Sequence, residues 1–179
     1  MDLEFAPFYA VHRRTYGAYW EFLTSAEFEA RRTALAAEKA RITALDAATI
    51  TYLSTVDVAS EKPFNMLGEE TTIVRADGKP GRRSAKWFSY DLLSNGASPI
   101  AVVVTYNSDQ RRTRSHEVLV EGQRVGETTV PQSSVAKFYD VEYPVPPAVA
   151  TGKQKVTVRF QATNGNEVAP VFGVRIVKK

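Results

Sequence analysis

The stretch Lys155-Val-Thr-Val-Arg-Phe-Gln-Ala162 decides the fold. Val156, Val158, Phe160 and Ala162 share one face of an extended chain, and Lys155, Thr157, Arg159 and Gln161 share the other. This is the period-2 pattern of a strand with one face in a core and one in water. Segments of the same kind recur at 87–92, 100–106, 116–120, 123–128, 136–142 and 171–177, each bounded by turn residues. Glu121-Gly122 fits a two-residue hairpin turn between two of them, because glycine tolerates the positive φ that such turns impose. Together they predict a mainly-β chain folded as an antiparallel β-sandwich. Tyr143-Pro-Val-Pro-Pro147 is expected to leave the ladder and cross from one sheet to the other, since proline donates no backbone hydrogen bond.

Upstream the pattern changes. Eight of the nineteen aromatic residues lie in the first 28 positions, from Phe5 and Phe8 to Phe22 and Phe28, a density that demands a burial partner. Residues 16–22 read as a strand, extended by 11–14. Thr24-Ser-Ala-Glu27 is a capping box, in which Thr24 accepts from a backbone donor and Glu27 reaches back to the cap. A helix over 25–47 follows, rich in Ala, Glu, Arg and Leu and free of Gly and Pro. Its apolar stripe of Phe28, Leu35, Ile42 and Leu45, with Ala34 beside it, is narrow and predicts a surface helix with Arg31, Arg32, Glu38 and Lys39 in water. Residues 48–86 read as a linker with loops and one strand at 71–75. The expected organisation is an aromatic-rich segment plus one long amphipathic helix at 1–47, then a β-sandwich with its leading loops at 48–179.

Composition excludes several classes of function. The chain has no cysteine, which removes disulfide scaffolds, cysteine-ligated zinc and a thiol nucleophile together, and leaves the compartment undetermined. Lys and Arg outnumber Asp and Glu by 23 to 20, a net charge of +3. The densest basic stretches, 75–86 and 111–124, lack interleaved aromatics and read as solvated loops, so no nucleic-acid partner is expected. No stretch approaches the roughly 20 apolar residues of a membrane span, and no export signal is read at the N-terminus, so no membrane partner is expected either.

Little of the chain looks catalytic. His12 and His116 are the only side chains that titrate near neutrality unperturbed, and neither has a metal-ligand companion. His12, beside Arg13 and Arg14, reads as an anion contact or as a ring bonded to backbone, and His116 as the packed start of a strand. Asp91, Glu117 and Glu142 lie at strand positions with no motif to mark a glycosidase pair. Phosphate-cradling loops, the G-x-S-x-G elbow and H-E-x-x-H are absent. Asp77 and Asp109 sit where a loop calcium is conceivable, but neither shows the spacing of oxygen ligands, so no metal or cofactor is assigned.

Binding chemistry is easier to find. In Lys86-Trp-Phe-Ser-Tyr-Asp-Leu92 the alternation turns Phe88, Tyr90 and Leu92 inward and Trp87 outward with Ser89 and Asp91. An outward indole is a candidate platform for a sugar face. The alternative is that the 75–86 loop or the helix covers it. Tyr106, with Asn107, Asp109, Arg111 and Arg112 on the following loop, is a second candidate, since loops at sandwich ends carry binding. The alternative there is that Asp109 organises the turn while Arg112 or Arg114 pairs with it.

Several motifs gain meaning as an ordered set: Pro7-Phe-Tyr-Ala-Val-His12 through Tyr19-Trp20, Ser60-Glu-Lys-Pro-Phe-Asn-Met66, Trp87-Phe-Ser-Tyr-Asp-Leu92, Val104-Thr-Tyr106 and Glu117-Val-Leu-Val-Glu-Gly122. Phe138-Tyr-Asp-Val-Glu-Tyr-Pro-Val-Pro146, the 155–162 strand and Val171-Phe-Gly-Val-Arg-Ile-Val177 complete it. The set resembles the C-terminal part of the β-L-arabinofuranosidase-like proteins of glycoside hydrolase family 127, over nearly the whole chain and most weakly over the helix. The resemblance implies a jelly-roll, galactose-binding-like sandwich that follows a helical-barrel catalytic domain. That family's hydrolytic site uses a cysteine nucleophile and a zinc bound by cysteine and glutamate. With no cysteine here, no catalytic residue carries over, and the Met1 start is expected to mark a fragment or a truncated product. The expected function is therefore a non-catalytic accessory domain of a glycoside hydrolase that binds carbohydrate through Trp87 and residues 106–112. The alternative is a structural module that docks onto a catalytic domain or a second copy of the chain through its N-terminal aromatics and helix.

Overall fold

The computed structural model describes residues 22–179 apart from Thr55 and Asn164. His12, Trp20 and the predicted strand at 16–22, except for Phe22, lie outside them. The chain divides into two compact units, residues 1–42 and 43–179.

Helix α1 (Ser25–Ala48) carries the predicted cap: the Thr24 backbone N–H donates to Glu27 Oε2 at 2.8 Å and the Glu27 N–H donates to Thr24 Oγ1 at 3.3 Å. The Thr24 hydroxyl, donating to Glu27 Oε2 at 2.7 Å, and the Thr24 backbone N–H hold the Glu27 carboxyl below its ordinary range. Phe28, Leu35 and Ile42 stay 56%, 64% and 43% exposed, and no helical residue is buried.

The second unit is the sandwich. Its elements are β1 (Thr49–Leu53), the one-turn helix α2 (Val58–Glu61), β2 (Leu67–Ala76), β3 (Lys79–Leu93), β4 (Ile100–Asn107), β5 (Arg114–Val120), β6 (Gln123–Val130), β7 (Phe138–Val145), the short helix α3 (Pro147–Ala150), β8 (Lys155–Ala162) and β9 (Val168–Lys178). All strand pairings are antiparallel and run in the order β6-β5-β8-β3-β9-β4-β7, with β1 beside β9 and β2 beside β3. Strand β3 makes two layers of this path. Residues 87–93 pair with β8, while Arg82 and Ser84 pair with β9 across a register irregularity. The sheet folds there, so that Phe88, Tyr90, Val158 and Phe160 of one layer meet Val102, Val104, Val174 and Ile176 of the other in one core.

Sequence pattern accounts for most of this. Strand β8 alternates as read, with Val156, Val158 and Phe160 buried. Strands β4 and β9 are apolar on both faces because the end of α1 covers part of the outer one: Leu45 and Ala48 pack on Ala101, Val103 and Val177. Glu121 and Gly122 turn the β5–β6 hairpin with φ of 53° and 80°, the double positive φ of the tightest hairpins. Asp77-Gly78 does the same between β2 and β3, at 46° and 76°.

Two readings are corrected. Residues 48–86 are not a linker: they hold β1, α2, β2 and the first half of β3. Likewise Tyr143, Pro144 and Val145 stay in the ladder opposite Val102, Ala101 and Ile100. Strand β7 ends the path of pairings and bonds only to β4, and an edge position tolerates a residue without an N–H. The crossing to the other layer begins at Pro146. Among the described residues no helix is long and apolar enough to cross a membrane.

Candidate functional site

The two basic stretches, 75–86 and 111–124, which the sequence separates by 24 residues (87–110), meet around one cleft of the sandwich. They are largely strands, not loops, and they wall a cleft of about 390 Å³. Arg75 and Ala76 from the end of β2, Arg83 from β3, Asp109, Gln110 and Arg111 from the β4–β5 loop, and Arg114 from the start of β5 line it, over Pro170 and Phe172 of β9. Four arginines and one aspartate thus face a single space, a formal +3 (4 − 1) that matches the whole chain's net charge.

A buried scaffold fixes the loop. Asn107 Oδ1 accepts from the Asp109 N–H at 2.8 Å, the Gln110 side chain donates to the Asn107 carbonyl at 3.0 Å, and Gln110 and Ser133 exchange backbone bonds at 2.8 and 3.0 Å. Gln110 Oε1 then takes a 2.6 Å bond from Arg114 Nη1, and Arg114, only 7% exposed, also donates Nε to Glu167 at 3.2 Å. Glu167 is shared with Arg112 and, at 3.6 Å, with Arg83. Burial works to raise the Glu167 carboxyl, but the bonds from Arg112 and Arg114 outweigh it and hold the group below its ordinary value. Arg112 and Arg114 therefore pair with Glu167, not with Asp109 as one reading of the loop expected. Arg75 donates to the Gly78 carbonyl at 3.1 Å and its charge helps lower the Asp57 carboxyl, and neither Arg75 nor Arg111 is in an ion pair among the described residues.

The predicted site residues separate into three groups. Asp109 and Arg111 are exposed and line the cleft, while Arg112 is exposed, paired with Glu167, and outside the lining. Tyr106 and Asn107 are fully buried and offer no surface to a ligand. The Tyr106 ring points into the core, where its hydroxyl meets His116 Nε2 at 2.9 Å and the Tyr143 hydroxyl at 3.1 Å; Asn107 holds the loop, and its Nδ2 has no hydrogen-bond partner among the described residues. Trp87 lies on the outer face of the other layer, opposite Gln161, with Phe88, Tyr90 and Leu92 turned inward as expected. It is half-buried. The Arg159 guanidinium stacks 4.0 Å from its ring centroid, and its indole N–H donates to Glu69 at 3.2 Å. Lys86 binds the same carboxylate, and these two bonds keep Glu69 below its ordinary range.

A model for a family of unknown function, DUF6805, matches residues 44–177, the whole sandwich and the helix end that packs on it. The chain belongs to this family. No curated protein matches a DUF6805 chain of this sequence. Several solved structures do match in fold. A family 35 carbohydrate binding module from an environmental isolate superposes with a TM-score of 0.53 at 10% identity, covering 73% of this chain and 94% of the module. One from Clostridium thermocellum gives 0.52 at 14% identity, covering 72% and 99%, and the CBM35 of Cellvibrio japonicus Abf62 gives 0.50 at 9%, covering 71% and 93%. At such identities the likeness establishes a shared jelly-roll fold for this DUF6805 member. Among its described residues, no three His, Asp or Glu side chains cluster as a metal site.

Proposed function

We propose that this DUF6805 chain is a non-catalytic accessory β-sandwich domain of a glycoside hydrolase and that it binds carbohydrate at the arginine-lined cleft. One observation carries the reading: residues of four separate strands and loops place guanidinium donors and the Asp109 acceptor around one cleft of about 390 Å³ above buried Pro170 and Phe172 of a fifth. A pocket of a few hundred Å³ with an apolar floor and a few convergent polar groups is the usual form of a small-molecule site. The matched solved modules are carbohydrate-binding by name, and the ordered motifs that resemble family 127 support an accessory place behind a catalytic domain. On this reading Asp109 and Arg111 face the ligand with Arg112 beside them in sequence, Tyr106 and Asn107 set the loop from beneath, and Trp87 is a flanking contact on the same strand as Arg83. Residues 1–47 join the sandwich, 48–179, to its parent.

Affinity electrophoresis against arabinose- and galactose-containing plant polysaccharides tests this. Retardation that Asp109→Ala abolishes and Trp87→Ala weakens is expected. Unretarded migration of the wild type on every glycan overturns it.

A second reading is favoured by a different observation. Phe28, Leu35 and Ile42 recur every seventh residue and remain exposed on α1, a narrow apolar stripe left open to a partner. It makes the helix a docking element for a catalytic domain or a second copy of the chain. Sedimentation of the wild type beside a Leu35→Glu variant tests it, and a monodisperse wild-type monomer without affinity for the catalytic domain counts against it.

A further inference from the structure

We infer that the cleft selects an acidic saccharide, one whose sugar carries a carboxylate or a sulfate ester, and that Arg75, Arg83, Arg111 and Arg114 hold the anionic group. The inference rests on the carbohydrate reading and adds the class of sugar. A neutral sugar needs mixed donors and acceptors, because each hydroxyl does both. This cleft offers guanidinium groups, which only donate, a single carboxylate, and the Gln110 amide, which is already bonded to Arg114 and to the Asn107 carbonyl. The planar fork of a guanidinium matches the paired oxygens of a carboxylate or sulfate.

The arginines are also prepared unequally. Arg114 is fixed before any ligand arrives, by Gln110 at 2.6 Å and Glu167 at 3.2 Å, and Arg83 shares that carboxylate at 3.6 Å. Their charge is partly spent. Arg75 and Arg111 are in no ion pair among the described residues, and Arg75 feels only the more distant Asp57 carboxylate, so the cleft keeps most of their positive charge at its mouth, which a bound anion neutralises. Asp109 sits on the lining of this cleft and of an adjoining one of about 490 Å³ formed with Gln132, Ser133 and Ser134. Its carboxylate repels an anion at that point and accepts from a hydroxyl instead, so the charged group lies toward Arg75 and Arg83, and the rest of the sugar lies toward Asp109.

The test is an NMR titration of the full chain, following the arginine Nε–H signals, with galacturonate, a sulfated galactose, galactose and inorganic sulfate. Arg75→Gln and Arg111→Gln serve as variants, since both side chains are exposed and neither is in an ion pair. Galacturonate or the sulfated galactose should bind most tightly, with each substitution weakening binding about tenfold or more; which of the two wins names the anion. Galactose binding as tightly as both, unchanged in the variants, overturns the acidic selectivity while leaving carbohydrate binding intact. Inorganic sulfate matching the sulfated sugar, with galactose silent, overturns the saccharide itself. No shift with any probe overturns both readings.

Discussion

Acidification should destabilise this fold by more than its exposed carboxylates explain, and His116 sets the excess. Its ring is fully buried on β5, where Nδ1 accepts from the Ala169 N–H at 3.4 Å and Nε2 lies 2.9 Å from the Tyr106 hydroxyl. An acceptor at Nδ1 puts the single proton on Nε2, so the neutral ring satisfies both neighbours and the Tyr106 and Tyr143 hydroxyls continue the chain to Thr128. A second proton would confront the Ala169 N–H and place a charge among Tyr106, Phe160 and Ala169. Burial accordingly pushes the ring from the ordinary 6.5 down to about 4. Between those values the unfolded chain holds a proton that the folded chain refuses. The contribution of His116 is complete above about pH 6.5, is lost as the pH falls to about 4, and changes no further below. A displacement of about 2.5 units at about 1.36 kcal/mol each is worth roughly 3 kcal/mol, a large share of the roughly 5–15 kcal/mol that holds a domain together. Urea unfolding of the wild type and of His116→Gln, followed by far-ultraviolet circular dichroism across that range, isolates this part, because every other titrating group is common to both. The wild-type curve should fall more steeply by about that amount. Parallel curves refute the argument.

The Glu61 carboxylate, 2% exposed, takes Arg82 Nε at 2.6 Å, Arg82 Nη2, and the Tyr90 hydroxyl at 2.6 Å, tying α2 to β3. Glu61→Gln strands the Arg82 charge in the core and should cost about 3–5 kcal/mol in denaturant unfolding, with Tyr90→Phe costing about 1.5–3 kcal/mol; a loss under about 1 kcal/mol for Glu61→Gln would mean that the pair is already solvated. Two glycine substitutions should fail for opposite reasons. At Gly122 nothing lies within 4 Å of an added Cβ but φ is +80°, so Gly122→Ala should cost about 1–2 kcal/mol from backbone strain alone and leave the His116 pH slope intact. At Gly126 the added Cβ meets the Tyr143 ring at Cδ1, well inside van der Waals contact, so Gly126→Ala should cost about 1–3 kcal/mol and alter that slope, since Tyr143 bonds Tyr106. Equal slopes in the two variants contradict the coupling.

Where one face meets the core, the sequence is legible. Strand β8 and the 87–92 half of β3 alternate as read, except that Ser89, on the outer face of β3, is buried as well. The capping box at Thr24 and the turn at Glu121-Gly122 are equally local: the interacting atoms lie within three residues, and the side chains permit little else. The segment at 48–86 defeated the same reading. Its strand β2 has no buried residue, so polar and β-branched side chains follow one another without a period, and β1 is only five residues long. The Asp77-Gly78 pair is the local signal that recovers it, because a hairpin turn there requires strands on both sides.

The site was half legible for a different reason. The 106–112 loop could be singled out because it follows a strand and carries Asn, Asp and Arg together, but which of its residues face water depends on strand register against layers far away in sequence. Tyr106 and Asn107 read as surface groups and are buried; Trp87 reads as an open platform, and Arg159, seventy-two positions later (159 − 87), lies on its ring. Charge shows the same dependence. Arg75 and Arg83 are unremarkable as a pair flanking a hairpin, and so are Arg111, Arg112 and Arg114 as a turn, since each set alone is solvated at little cost. Strand β3 brings one set against the other because its length is divided between β8 and β9. The fold thereby concentrates in one cleft a positive charge as large as that of the entire chain. Like charges repel at such range, and the structure compensates only part of it, through Glu167. A cluster that served stability alone would gain by exchanging Arg75 or Arg111 for a neutral residue. Unfolding measurements on the two glutamine variants therefore complement the titration: a rise in stability together with a loss of anion affinity would mark charge kept for binding, and a fall in stability would assign those arginines to the scaffold.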